Sequence, residues 1–287
     1  MDEEFRAQET ADAVLEAPRP GDLTARFRND AAAAYRDMFD LSDQTVVITG
    51  GARGIGLAIA DGMSAWGAEV VLVDVDPSGQ SAADDLQQRG RRASFRQCDV
   101  TSSQDVNALF ESLNGRLPGV TSVINGAGVS ARIAAEDYPD PDMDRMIDLN
   151  LKGVFYVMRA AAKAWITAGR TGRIINIASF AGLVADPFSA PYAATKGAVV
   201  QLTRTCAVEW APHGILVNAI APGYVRTEMT AATLDSDTGR KRVAERTPLG
   251  RPGNPEEIAG AAIFLAARAS SYVTGHVLCV DGGWTAA

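Results

Sequence analysis

The sequence predicts an α/β fold: one domain built on a doubly wound, parallel, seven-stranded sheet with helices on both faces. Two observations carry that expectation. Short apolar runs alternate with helical patterns from Leu41 to the end of the chain, the order of repeated strand–helix units. The runs are also continuously apolar and rich in Val and Ile, so each strand needs cover on both faces. At 287 residues and 47% hydrophobic content, the chain can supply one large core.

The elements follow in order. Residues 46–49 (Val-Val-Ile-Thr) form the first strand, 55–66 a helix and 70–73 the second strand. Helix 78–89, strand 93–97 and helix 104–113 come next, then strand 120–125 and one long helix over about 142–168. Strand 173–177 leads to helix 192–211 and strand 215–220. The last helix, 255–266, opens on Asn254, Pro255 and Glu257: a capping residue, a first-turn proline and a capping-box acid. Residues 276–280 close the sheet. Neither linker nor repeat interrupts 41–287, which reads as one dinucleotide-binding catalytic domain with a substrate lid around 226–252. Residues 1–40 differ. Ten acids and five bases give them −5 of the chain's net −8, and Glu16-Ala-Pro-Arg-Pro-Gly21 breaks them. They carry no recognisable chemistry and read as an acidic extension, partly disordered or packed on the surface.

Composition excludes several functions. A net charge of −8 disfavours nucleic acid and anionic membrane as partners. Cys98, Cys206 and Cys279 lie far apart in apolar runs, the pattern of buried thiols in a reducing compartment. With only His213 and His276 beside them, no metal site is expected. No run approaches the roughly 20 apolar residues of a membrane span, and the acidic N-terminus resembles no leader peptide. A cytoplasmic location is the expectation.

The first strand runs into Thr49-Gly-Gly-Ala-Arg-Gly-Ile-Gly56 and then a helix. Glycines let backbone approach a pyrophosphate, and the helix N-terminus meets its charge. Gly50, Arg53, Gly54, Ile55 and Gly56 are therefore candidate cofactor contacts. Asp74 ends the second strand, where an acid hydrogen-bonds the adenosine ribose of NAD. It would repel a 2′-phosphate by on the order of 4 kcal/mol at about 4 Å and an effective dielectric near 20. Arg53 pulls the other way; NAD is the expected cofactor.

Tyr192-Ala-Ala-Thr-Lys196 sets a phenol and an ammonium at i and i+4 on one helix face. A nearby cation lowers a phenol's pKa toward the range of a general acid–base. Ser179 lies just past the fifth strand, where ligands bind in such sheets and where a hydroxyl can bond a reacting oxygen.

In this order, Thr49–Gly56, Asn125-Gly-Ala-Gly128, Asn150, Ser179, Tyr192/Lys196, Pro222-Gly223 with Thr227, and Val280-Asp-Gly-Gly283 resemble the short-chain dehydrogenase/reductase family over residues 41–287. The resemblance implies a Rossmann fold and a nicotinamide-dependent oxidoreductase acting on a secondary alcohol or ketone. It implies Tyr192 as acid–base, Ser179 as the group holding the reacting oxygen, and Lys196 as ribose ligand. Asn150 would hold a water. Asp99 and Val100 would lie at the adenine, Asn125, Ala127 and Gly128 along the cofactor, and Pro222, Gly223, Val225 and Thr227 at the nicotinamide. One departure is Gly126, where the family usually has Asn. The family also implies a homotetramer through helices 142–168 and 192–211.

Arg246-Thr-Pro-Leu-Gly-Arg251 and the 276–283 segment are similar to gluconate and deoxygluconate dehydrogenases of the family, so a sugar acid, sugar or polyol is the expected substrate class. Arg132 either anchors a substrate carboxylate or pairs with Glu136 on the surface. Phe180 and Tyr224 are further substrate-side candidates. Other readings are a 3-oxoacyl-thioester or other ketone reductase and a non-catalytic NAD-binding regulator; the intact Ser179–Tyr192–Lys196 set argues against the last.

Overall fold

The computed structural model describes residues 35–114 and 119–287; most of the 1–40 extension lies outside the described residues. Seven strands form one sheet: β1 (Thr45–Thr49), β2 (Glu69–Asp74), β3 (Ala93–Gln97), β4 (Ser122–Asn125), β5 (Gly172–Ile177), β6 (Ile215–Pro222) and β7 (Val277–Val280). Their order is β3-β2-β1-β4-β5-β6-β7 and every pairing is parallel. The order reverses direction between β1 and β4, so a crevice opens there beyond the carboxyl ends of the strands.

Apolar residues on successive strand positions feed two separate cores. Val47, Val71, Val123, Ile174 and Val217 face α3 (Ser103–Asn114), α5 (Val154–Thr167) and α6 (Ala190–Trp210). Their neighbours Val46, Ile48, Val70, Leu72, Ile124 and Ile175 face α1 (Gly54–Ala65), α2 (Gly79–Gln88) and α9 (Pro255–Ala266). Each fully buried Val, Leu or Ile contributes roughly 1.5–3 kcal/mol. A charge at Ile48 would meet no water on either face.

Two elements differ from expectation. Helix 142–168 is not continuous: α4 (Asp140–Met146) gives way to a π-helical stretch, Ile147–Gly153, before α5 begins. The wider turn carries the fully buried Asn150 inward, where its amide exchanges two 2.8 Å hydrogen bonds with the Val129 backbone. Such bulges are common where a helix must present one side chain to a site. The 226–252 segment also holds two helices, α7 (Glu228–Asp235) and α8 (Asp237–Arg246). Their caps were available as sequence signals: Thr227 and Thr230 make a reciprocal box, and Ser236 accepts from the Gly239 N–H. The Asn254–Glu257 capping box of α9 forms as expected.

Next to the masked segment, Phe39 packs on Trp66, with ring centroids 6.4 Å apart, and Leu41 is fully buried. No helix among the described residues is long and apolar enough to cross a membrane. No group of His, Cys, Asp and Glu among them could hold a metal ion.

Candidate active site

The glycine loop between β1 and α1 is built for close backbone approach. Gly50 and Gly54 adopt left-handed conformations, φ 67° and 57°. A Cβ at Gly50 would lie 2.8 Å from the Ala127 backbone, and one at Gly56 would lie 2.1 Å from the Gly50 carbonyl oxygen. Arg53 occupies the N-cap of α1 but gives no side-chain cap, leaving first-turn N–H groups to meet a phosphate. Its guanidinium instead reaches across to Glu228 on α7, at 2.8 Å.

Asp74 ends β2 beside this loop. One carboxylate oxygen accepts from the Ala52 N–H at 3.2 Å and the other from the Asp76 N–H at 3.1 Å, which fixes the carboxylate at the crevice rim. Asp99 follows β3; its Oδ1 accepts from the backbone and hydroxyl of Thr101. Val100 is buried in the core behind it. At the end of β4, Asn125 donates to Asn176 at 2.8 Å, and the Thr49 hydroxyl accepts from the N–H groups of Gly126 and Ala127. A Cβ at Gly126 would sit 2.7 Å from the Thr49 carbonyl oxygen, so glycine fits this close approach. Gly128 lies against Asn150 and Lys196, with its Cβ position 3.2 Å from Asn150 Oδ1 and 3.7 Å from Lys196 Nζ. Across the crevice, Pro222 ends β6 and Gly223 packs on Asp281. Val225 is buried, and Thr227 faces Gly54.

Ser179, Tyr192 and Lys196 come together where β5 ends and α6 begins. Ser179 is the N-cap of a short turn, its oxygen accepting from the Ala181 N–H at 3.1 Å. Lys196 is buried and donates to the Ile177 carbonyl at 2.7 Å, with Nζ 5.7 Å from the Tyr192 ring centre. Burial pulls the Lys196 ammonium down to about 8. Burial also pushes the Tyr192 hydroxyl up; a hydrogen bond with Ser179 opposes this, while Asp186 and Tyr224 add to the rise. In the protein alone, therefore, desolvation outweighs the cationic lowering expected from the Tyr-x-x-x-Lys spacing.

Beside Tyr192 lies a group the sequence did not announce. Phe180, Tyr224 and Trp284 stack with ring centres 5.0–5.3 Å apart, and Tyr192 packs against them. Trp284 arrives because Gly282 and Gly283 both take positive φ, turning the chain back after β7. Arg132 does not pair with Glu136. It binds Asp186 at 2.7 Å, the Tyr224 hydroxyl at 3.0 Å and the Pro187 carbonyl at 2.8 Å. Arg242 of α8 binds the other Asp186 oxygen. The available signals were slight: one acid in the otherwise apolar stretch 180–190, and an aromatic directly after Gly-Gly.

Residues 50–285 match a family model described as enoyl-(acyl carrier protein) reductase. The chain is 40% identical to gluconate 5-dehydrogenase of Gluconobacter oxydans over 253 residues, 88% of this chain and 98% of that protein. It is 38% identical to galactitol 2-dehydrogenase (L-tagatose-forming) of Cereibacter sphaeroides over 254 residues, 88% of this chain and 98% of that one. A gluconate 5-dehydrogenase from Burkholderia cenocepacia, crystallised with NADP and tartrate, superposes with a TM-score of 0.85 at 38% identity. That alignment covers 88% of this chain and 99% of the other.

Proposed function

The chain belongs to the short-chain dehydrogenase/reductase family, and on that footing we propose an NAD-dependent dehydrogenase acting on a secondary alcohol of a sugar acid or polyol. The observation that carries the substrate class is the pair of arginines, Arg132 and Arg242, on the pocket wall beside Tyr192. A guanidinium there suits a carboxylate, as do the sugar-acid names of the relatives.

The residues fit a dinucleotide. Side chains at Gly50 or Gly56 would fill the cradle, and the uncapped start of α1 offers donors to its phosphates. Asp74, with Asp99 and Val100 at the adenine side, would hold the adenosine half; Asn125, Ala127, Gly128, Pro222, Gly223, Val225 and Thr227 would line the rest. The B. cenocepacia enzyme was crystallised with NADP, but here Asp74 occupies the ribose side and Glu228 holds Arg53 away from a 2′-phosphate. Both features favour NAD.

When bound, the nicotinamide accepts a hydride from the carbinol carbon. Tyr192 takes the hydroxyl proton onto its phenolic oxygen as that hydride leaves. Ser179, already hydrogen-bonded with Tyr192, steadies the same substrate oxygen. Lys196 supplies positive charge near the phenol, and Asn150, held by Val129 and beside Thr195, lies next to Lys196 on the proton's way out. In assembly, the family points to a tetramer through α5 and α6, where Val208 is 79% exposed; light scattering would test it.

The test is NADH formation with gluconate, galactitol and a 3-hydroxyacyl thioester. Gluconate should give the highest kcat/KM, and NAD should exceed NADP by at least about tenfold. Asp74→Ser should erode that ratio. Faster turnover of the thioester would favour the acyl reductase reading suggested by the family model's description.

A further inference from the structure

The Asp186 carboxylate is shared between two guanidiniums from distant parts of the chain. Arg132, from the loop after β4, and the Tyr224 hydroxyl take Oδ2, at 2.7 and 3.2 Å, while Arg242 of lid helix α8 takes Oδ1. The Asp186 side chain is 4% exposed, against 30% for Arg132 and 22% for Arg242. One carboxylate facing two partly buried guanidiniums leaves a net positive charge in the pocket wall.

Two donors in the same place also lack acceptors. Arg242 Nε and Trp284 Nε1 are buried without a hydrogen-bond partner among the described residues. The Arg242 guanidinium lies 5.8 Å over the Trp284 ring, and Arg246, one turn further along α8, lies 5.0 Å over it. Each buried, unsatisfied donor is costly to the fold, and an isolated positive excess is costly as well. Both costs fall when an anion sits against the pair. The site is contiguous with the chemistry, because Tyr192 packs on Trp284 and Tyr224 and feels the Asp186 charge.

We propose that Arg242 is a second, lid-borne anchor for a substrate carboxylate, acting with Arg132 across Asp186 and beside the Trp284 indole N–H. Asp186 preorganises both guanidiniums, and the lid therefore reads whether the substrate carries an anion. This rests on the sugar-acid reading of the same site and adds to it a specificity-determining residue outside the catalytic set.

The test compares wild type with Arg242→Gln and Arg242→Lys, all supplied with NAD, on gluconate and galactitol. Glutarate, a dicarboxylate with no alcohol to oxidise, serves as an inhibitor. Arg242→Gln should lower the gluconate-to-galactitol ratio of kcat/KM at least tenfold and weaken glutarate inhibition by a similar factor, with Arg242→Lys recovering part of both. A ratio unchanged within twofold, or kcat/KM falling equally for both alcohols, overturns the proposal. If wild type ignores gluconate yet glutarate inhibits it and Arg242→Gln escapes, the anion subsite stands and the sugar-acid reading falls.

Discussion

Two buried ionisable groups sit side by side in this molecule and are handled in opposite ways. Tyr192 and Lys196 have little to offset their burial: a backbone carbonyl for the ammonium and a serine hydroxyl for the phenol, so both are pushed toward their neutral forms. Arg132, Asp186 and Arg242 compensate one another with charge, and the hydrogen bond to Asp186 helps to raise the Arg132 pKa against the pull of burial. A group that must exchange a proton gains from burial without a counter-charge, because its two forms move closer in energy. A group that must recognise charge gains from partners that keep it ionised. The difference separates a reactive centre from a recognition centre about one side chain away.

The largest effect expected from this contrast is on turnover. Tyr192→Phe keeps the ring and its packing on Trp284 but removes the proton carrier. The loss in kcat should be on the order of 10²–10⁴-fold with cofactor affinity within a few-fold. Retention of more than about a tenth of wild-type kcat would mean that the phenol is not the acid–base.

At the recognition centre the comparable change should show in stability. Asp186→Asn leaves two guanidiniums without their counter-charge. Breaking a fully buried pair costs about 3–5 kcal/mol, and the partial exposure of both arginines reduces this to roughly 2–3. At about 2–4 °C per kcal/mol for a chain of this size, Tm should fall by roughly 5–10 °C. A Tm within 1 °C of wild type in calorimetry would show that the arginines need no compensation.

How far each centre could be read from sequence follows from how it is assembled. The glycine loop, Asp74, Ser179 and the Tyr192–Lys196 pair stand in local patterns, where strand, turn and helix spacing already imply position. The sheet is legible for the same reason, since each strand announces its two covered faces in its own residues. The recognition centre joins residues 54 to 92 positions apart, Arg132 with Asp186 and Tyr224, and no local spacing encodes such a meeting. Arg132 was visible as a candidate, but its partner was not. The π-helical stretch at Ile147–Gly153 was hidden too, because its seven residues have an ordinary helical composition and only the inward pull on Asn150 distinguishes them.

The unpaired burial of Lys196 has a signature in pH. Its value drops from 10.5 to about 8, so the unfolded chain binds more protons than the native one between those values. Stability therefore rises with pH across that window. Lys196→Met removes the titration. Relative to that variant, wild type should gain about 1.5–2 kcal/mol between pH 7 and 9.5, read from urea unfolding. Parallel pH profiles for the two proteins would mean that the ammonium is not desolvated as described.

The smallest effect should come from the chain ahead of both centres. Removing residues 1–38 deletes none of the side chains around Tyr192 or Asp186, so kcat and the gluconate-to-galactitol ratio should stay within about twofold. Two anchors are lost: the Met38 carbonyl accepts from the Ala269 N–H at 3.0 Å, and the Asp37 carbonyl from Arg268 at 2.8 Å. Phe39 and Leu41, which carry the apolar contact with Trp66 and the core, remain. Hydrogen bonds of this kind contribute about 0.5–1.5 kcal/mol each, offset by the ordering entropy that the deletion releases. A Tm lower by a few degrees is the expected result. A large fall in kcat with the fold intact would instead mean that the acidic extension reaches a catalytic pocket, its own or a neighbouring copy's, and that the two centres are not the whole of the site.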